Sequence, residues 1–112
     1  MDRQRALREL FKDASRIVER EYADRLLVDD VAARLHTSRR QLQRAYYHAG
    51  MPGFRDQLAA TRMHRAAALL QADTPAPVGE IGQAVGYQSS SQFTKAFCRY
   101  HGITPPTYRA QI

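Results

Sequence analysis

The sequence holds a single cysteine, Cys98, among its 112 residues, and no tryptophan. One cysteine excludes an intramolecular disulfide framework and fits a reducing compartment. No apolar run approaches the roughly 20 residues that a membrane-spanning helix needs. The amino-terminal stretch MDRQRALREL carries charges every two or three residues, so it lacks the apolar centre of a secretory signal. The polar–apolar alternation of a strand is missing as well. Lysine is scarce: Lys12 and Lys95 apart, the bases in a Lys+Arg total of 17 are arginines. The most informative absence is local. No Asp or Glu lies between Val31 and Gly53, although the chain holds 11 of them. A solvated surface ordinarily mixes both signs. An acid-free window in a chain of net charge +6 points to a polyanionic partner, nucleic acid first.

What is present is helical periodicity, in a length that suits one domain. Leu7, Leu10, Phe11, Ala14, Ile17 and Val18 recur at i, i+3, i+4 spacing, which predicts a packing helix from about Asp2 to Glu21. A short helix is expected over Val28 to Leu35, with Asp29 and Asp30 favouring its start through capping and the dipole and Val31, Ala32 and Leu35 inward. After His36-Thr37, Ser38 is the expected N-cap of a third helix, Arg39 to about His48. Gly50-Met51-Pro52-Gly53 punctuates the chain. A long helix from Phe54 to about Gln71 takes Phe54, Leu58, Met63, Ala66, Leu69 and Leu70 as its apolar positions, and Asp73-Thr74-Pro75-Ala76-Pro77 ends it. The short–turn–short pattern then repeats. Val78 to Val85 turns Ile81, Ala84 and Val85 inward, and Gly86-Tyr87 makes the turn. Ser89 or Ser90 caps a helix to about Tyr100 that buries Phe93, Ala96 and Phe97. Gly102 stops it, Pro105-Pro106 opens a brief turn, and Tyr108 docks back. The expected fold is all-α: about seven helices in two helix-turn-helix subdomains, divided as 1–52, a connector 53–73, and 74–112.

The helix faces carry the functional signal. At 100° per residue, Leu42, Ala45 and Tyr46 cluster on one side of the third helix. Arg40, Gln43, Arg44 and Tyr47 occupy the other, with Arg39 at the flank. Arginine binds guanine O6 and N7 bidentately and glutamine does the same to adenine N6 and N7, so this face suits a major groove. In the second motif, Ser91, Lys95 and Cys98 face outward, flanked by Gln88, Gln92, Thr94 and Arg99. That face is richer in hydrogen-bonding groups than in charge, and fits more phosphate contact and more tolerant base reading. Successive major grooves lie about 34 Å apart. A connector of 18 to 20 residues is about 27–30 Å long, a length that fits two motifs on one duplex, with bending if their helices are parallel.

Three linked motifs now carry a resemblance. VDDVAARLHTSRRQLQRAY is similar to the first helix-turn-helix of AraC/XylS-type transcription regulators, LAATRMHRAAALL to their connector, and PVGEIGQAVGYQSSSQFTKAFCRYHGITPPTYR to their carboxy-terminal signature. The resemblance runs from about Val28 to Arg109, and the short chain resembles the compact MarA/SoxS group, which carries the DNA-binding part alone. A fragment of a longer regulator or of a DNA-repair protein has the same pattern. The resemblance implies a seven-helix, two-motif fold used for transcription activation. It assigns Arg40, Gln43 and Arg44 to bases in one groove, and Ser90, Ser91, Gln92 and Lys95 to the second recognition helix. The sequence departs from the family pattern at His36, where glycine is usual in the turn, and at Gly82, usually alanine. Ser89 replaces a frequent acid, and Gly50 stands one place early.

Taken together, the expected base-contacting residues are Arg40, Gln43, Arg44, Ser91, Gln92 and Lys95. Ser38, Arg39, Tyr47, Ser90, Thr94 and Arg99 are expected at phosphates or flanks, with Arg62 as a further phosphate or scaffold candidate. The expected partners are promoter DNA and RNA polymerase, with the chain acting as a monomeric activator in the bacterial cytoplasm, on the nucleoid. No cofactor, metal, membrane or enzymatic role is expected. His36, His48, His64 and His101 never fall at mutual i, i+3 or i+4 spacing, and Cys98 with His101 falls short of a structural zinc's four ligands. The competing reading is a helical protein-interaction module, an adaptor or anti-activator that keeps the fold but has little intrinsic affinity for DNA.

Overall fold

The computed structural model describes residues 2–72 and 76–111, and among these it contains seven helices and no strand. They are α1 (Arg3–Glu21), α2 (Val28–Arg34), α3 (Arg39–His48), α4 (Phe54–Gln71), α5 (Val78–Ala84), α6 (Ser90–His101) and α7 (Pro105–Ala110). The chain divides into two compact units, Met1–Leu58 and Ala59–Ile112, with the boundary inside α4. Of the segment expected to end α4, residues 73–75 lie outside the described residues.

In the first unit, Ala14 and Val18 of α1, Val31 and Ala32 of α2, Leu42 and Tyr46 of α3, and Phe54 and Leu58 of α4 form one buried cluster. Tyr46 is its centre. The ring has no exposed surface and packs edge-on against Phe11 at 5.0 Å and Phe54 at 6.0 Å between centroids, the arrangement aromatic quadrupoles favour. Its hydroxyl donates to Gln57 Oε1, and Gln57 Nε2 donates to Ser15 Oγ at 2.9 Å. Burial pushes the Tyr46 phenol well above its ordinary pKa, so it stays a neutral donor.

The second unit repeats the motif with other side chains. Phe93 and Phe97 of α6 are fully buried and meet edge-on with centroids 5.8 Å apart. Tyr108 of α7 closes on Phe97 at 5.5 Å, and its hydroxyl accepts a 2.6 Å hydrogen bond from Gln71 Nε2. The brief carboxy-terminal turn expected at Pro105-Pro106 is thus a helix, with Thr104 as its cap and proline in its first turn, where a missing N–H costs nothing.

Both motif turns close in the same way. Thr37 N–H reaches Ala32 C=O and His36 N–H reaches Ala33 C=O; Tyr87 N–H reaches Gly82 C=O and Gly86 N–H reaches Gln83 C=O. This pair of bonds ends a helix when the residue after the cap is left-handed. Gly86 adopts φ +109° freely, whereas His36 sits at φ +56°, a conformation that costs an L-residue about 1–2 kcal/mol. The departure from glycine at 36 therefore keeps the turn and carries strain.

Several expectations need correction. Asp29 and Asp30 stand in the first turn of α2, where the dipole favours them, but neither caps it: Leu27 is the N-cap and has no polar side-chain atom to offer, and the Asp29 carboxylate is turned onto Arg39. Ala84 is exposed, since α5 ends there and Val85 is the capping residue that goes inward. Leu69 is exposed and Ala96 only half-buried. Of the two serines expected to cap α6, Ser89 is the one that does so.

Gly82 is where the two helices of the second motif meet. A Cβ there would lie 2.8 Å from Phe93 Cγ, closer than real contacts allow. With Phe93 fully buried, the ring has no room to yield. Gly82→Ala is therefore expected to lower the unfolding free energy by about 1–3 kcal/mol, read from a urea midpoint. An unchanged midpoint would show that the contact is not a constraint.

Candidate nucleic-acid interface

In the first unit, Ser38 opens α3, its hydroxyl accepting a 3.1 Å hydrogen bond from Gln41 N–H. Leu42, Ala45 and Tyr46 then bury one side of the helix. Because Tyr46 is fixed by two rings and a hydrogen bond, the rotation of α3 is fixed with it. Arg40 and Arg44, one turn apart, are exposed on the opposite side together with Gln43. Among the described residues no carboxylate pairs with Arg40 or Arg44. Tyr47 is 84% exposed, a large ring left in solvent on this same cationic face.

Arg39 is placed differently from the free cation its position suggests. Its Nε and Nη2 donate to the two Asp29 oxygens at 2.7 and 2.6 Å, tying α3 to α2. It reaches a phosphate only by leaving that pair. Arg34 makes a similar fork onto Glu21 of α1, at 2.8 and 2.7 Å. These pairs span 10 and 13 residues, and no sequence spacing announces them.

In the second unit, Ser89 caps α6 by accepting a 3.1 Å bond from Gln92 N–H. Ser90, Ser91, Gln92, Lys95 and Arg99 are exposed, Thr94 and Cys98 half-buried. Arg62 is a scaffold group: its guanidinium lies 5.4 Å from the centre of the Tyr87 ring. A Cβ on Gly86 would come within 2.9 Å of Arg62 Nε. The turn glycine thus serves both its φ and the arginine packed over it. No group of three or more His, Cys, Asp or Glu among the described residues is placed to hold a metal, and no described helix is long and apolar enough to cross a membrane.

Comparison with known proteins decides the family. A helix-turn-helix domain model matches residues 31–111. The fold superposes on the C-terminal domain of AraT, a response regulator from Geobacillus stearothermophilus, with a TM-score of 0.86 and 30% identity over 92% of this chain and 85% of that one. The chain belongs to the AraC-type helix-turn-helix family. The DNA-binding domain of AdpA, solved with a target DNA, is also similar, with a TM-score of 0.77 and 26% identity over 91% of this chain and 90% of that one. Among curated proteins, the Msm operon regulatory protein of Streptococcus mutans is 30% identical over 87% of this chain and 34% of its own length. The RCS-specific HTH-type transcriptional activator RclR of Escherichia coli is 33% identical over 76% of the chain and 30% of its own length. This AraC-type domain therefore spans about a third of those relatives.

The two forks shift their acids. Hydrogen bonds from Arg34 and Arg39 are the largest influence, and they hold Glu21 and Asp29 below their ordinary values of 4.5 and 3.8, against a smaller opposing effect of burial. The unfolded chain then binds protons more readily, so the pairs contribute above those ordinary values and are lost as pH falls through the lowered ones. The Glu21→Gln, Asp29→Asn double variant should lose less stability on acidification between about pH 5 and about pH 3. Urea midpoints across that range check this, and an acid limb identical to the parent's contradicts it.

Proposed function

We propose that this chain is a sequence-specific, double-stranded DNA-binding transcription regulator, an activator that reads two adjacent major grooves with α3 and α6. The observation that carries the reading is the exposed, acid-free face of α3, presented by a helix whose opposite side is locked in the core. Arg40, Gln43 and Arg44 read base edges in one groove. Ser91, Gln92 and Lys95 read the neighbouring groove more tolerantly. Ser38, Tyr47, Ser90, Thr94 and Arg99 meet phosphates or flanks, and Arg39 joins them when it leaves Asp29. The activator role is supported by the similarity to RclR, a transcriptional activator, and the DNA partner by the AdpA domain's target DNA. RNA polymerase is the second partner of an activator, and the chain works in the bacterial cytoplasm as a monomer on DNA. Residues 1–52 supply the first motif with its packing helix, 53–73 the connector, and 74–112 the second motif.

A gel-shift series in rising salt tests this. Six phosphate contacts give a log–log slope of roughly −5, whereas a protein-interaction module with the same fold has no such dependence. On the preferred site, Arg44→Ala is expected to cost about 1–3 kcal/mol and to relax choice at one base pair. Equal loss on random DNA would contradict a base-reading role.

A further inference from the structure

The family model starts at residue 31, so α1 lies outside it. Yet α1 borders the recognition face. Arg3 and Leu7, one turn apart on α1, line an open cleft whose other wall holds Arg40, Arg44 and Tyr47 of α3. Farther along α1, two of the bases are matched: Lys12 Nζ lies 3.5 Å from Glu9 and Arg16 Nη1 lies 3.1 Å from Asp13. Arg3 has no such match. Among the described residues no carboxylate pairs with Arg3, Arg40 or Arg44. The neighbouring Asp2 is turned onto the helix, accepting from Arg5 N–H at 3.0 Å. Three guanidinium groups thus border one concave strip without a counter-charge, beside the exposed Tyr47 ring.

We infer that the first turn of α1 belongs to the DNA-binding surface, with the Arg3 guanidinium holding a backbone phosphate of the strand that passes α3. This rests on the reading of α3 as the groove-reading helix. A planar fork of donors matches a phosphodiester. A duplex whose base edges meet Arg40 and Arg44 carries its backbone past the cleft they share with Arg3. The contact adds affinity and register, without sequence choice.

The test is a gel-shift salt series on the full chain with Arg3→Gln, Arg8→Gln and Arg44→Ala. Arg8 is exposed on α1 but does not line the cleft. Arg3→Gln should make the log–log slope shallower by about 0.9 and weaken specific and random DNA by the same factor, while Arg8→Gln leaves the slope unchanged. A parental slope and affinity for Arg3→Gln, alongside lost site preference for Arg44→Ala, overturns the inference and leaves the α3 reading standing. Equal slope changes for Arg3→Gln and Arg8→Gln also overturn it, because net charge alone then accounts for the effect. Parental binding for Arg3→Gln and Arg44→Ala together defeats the α3 reading itself.

Discussion

Tyr46 is the side chain on which the first unit's surface depends. Its ring fills the space between α1, α3 and α4, against Phe11 and Phe54, and its hydroxyl is held through Gln57 to Ser15. An apolar residue of similar size would fill the volume but leave Gln57 and Ser15 to pair otherwise, and the helix freer to rotate. In a helix of ten residues, a rotation of one position moves each side chain by about 100°. That is enough to take Arg40 or Arg44 off its face. The precision of the cationic surface is thus set from the inside.

The two motifs solve one geometric problem with different residues. Each needs a left-handed residue after its first helix and a serine to cap its second, and each obtains them: His36 with Ser38, Gly86 with Ser89. Where α2 has the buried Ala32, α5 has Gly82, and the difference follows the larger ring of Phe93 opposite. The outward faces differ as well. The α3 face is arginine-rich, and the α6 face offers serine, glutamine and one lysine. Arginine's fixed fork favours one base, while hydroxyl and amide groups accept several arrangements. In the proposed reading, the second motif supports a choice made mainly by the first.

Much of this was legible in the sequence. The helix spans follow from apolar spacing, and the bounds of α3 and α4 coincide with those expected, because a capping serine and the Pro52-Gly53 break mark them clearly. The strained turn was legible as well, since a side chain stands at His36 where the family usually has glycine. What escaped was long-range. Arg39 looks in sequence like a free cation, and only the folding of α2 against α3 brings Asp29 to it. The Ser15–Gln57 bond spans 42 residues and has no local signature, because Gln57 follows Arg55 and Asp56 in the first turn of α4 as one polar residue among others. Arg3 reads as part of an evenly charged packing helix until the cleft shared with α3 is seen. Capping and periodicity are local physics, whereas pairings across the fold depend on the tertiary arrangement.

The central claim is that two motifs in one chain read one duplex in neighbouring grooves. Selecting bound sites from random double-stranded DNA with the whole chain tests it most directly. The account predicts two blocks of base preference with centres about 10–10.5 base pairs apart, the sharper block belonging to α3. A single block, two blocks at unrelated spacing, or no enrichment over the starting pool would contradict it.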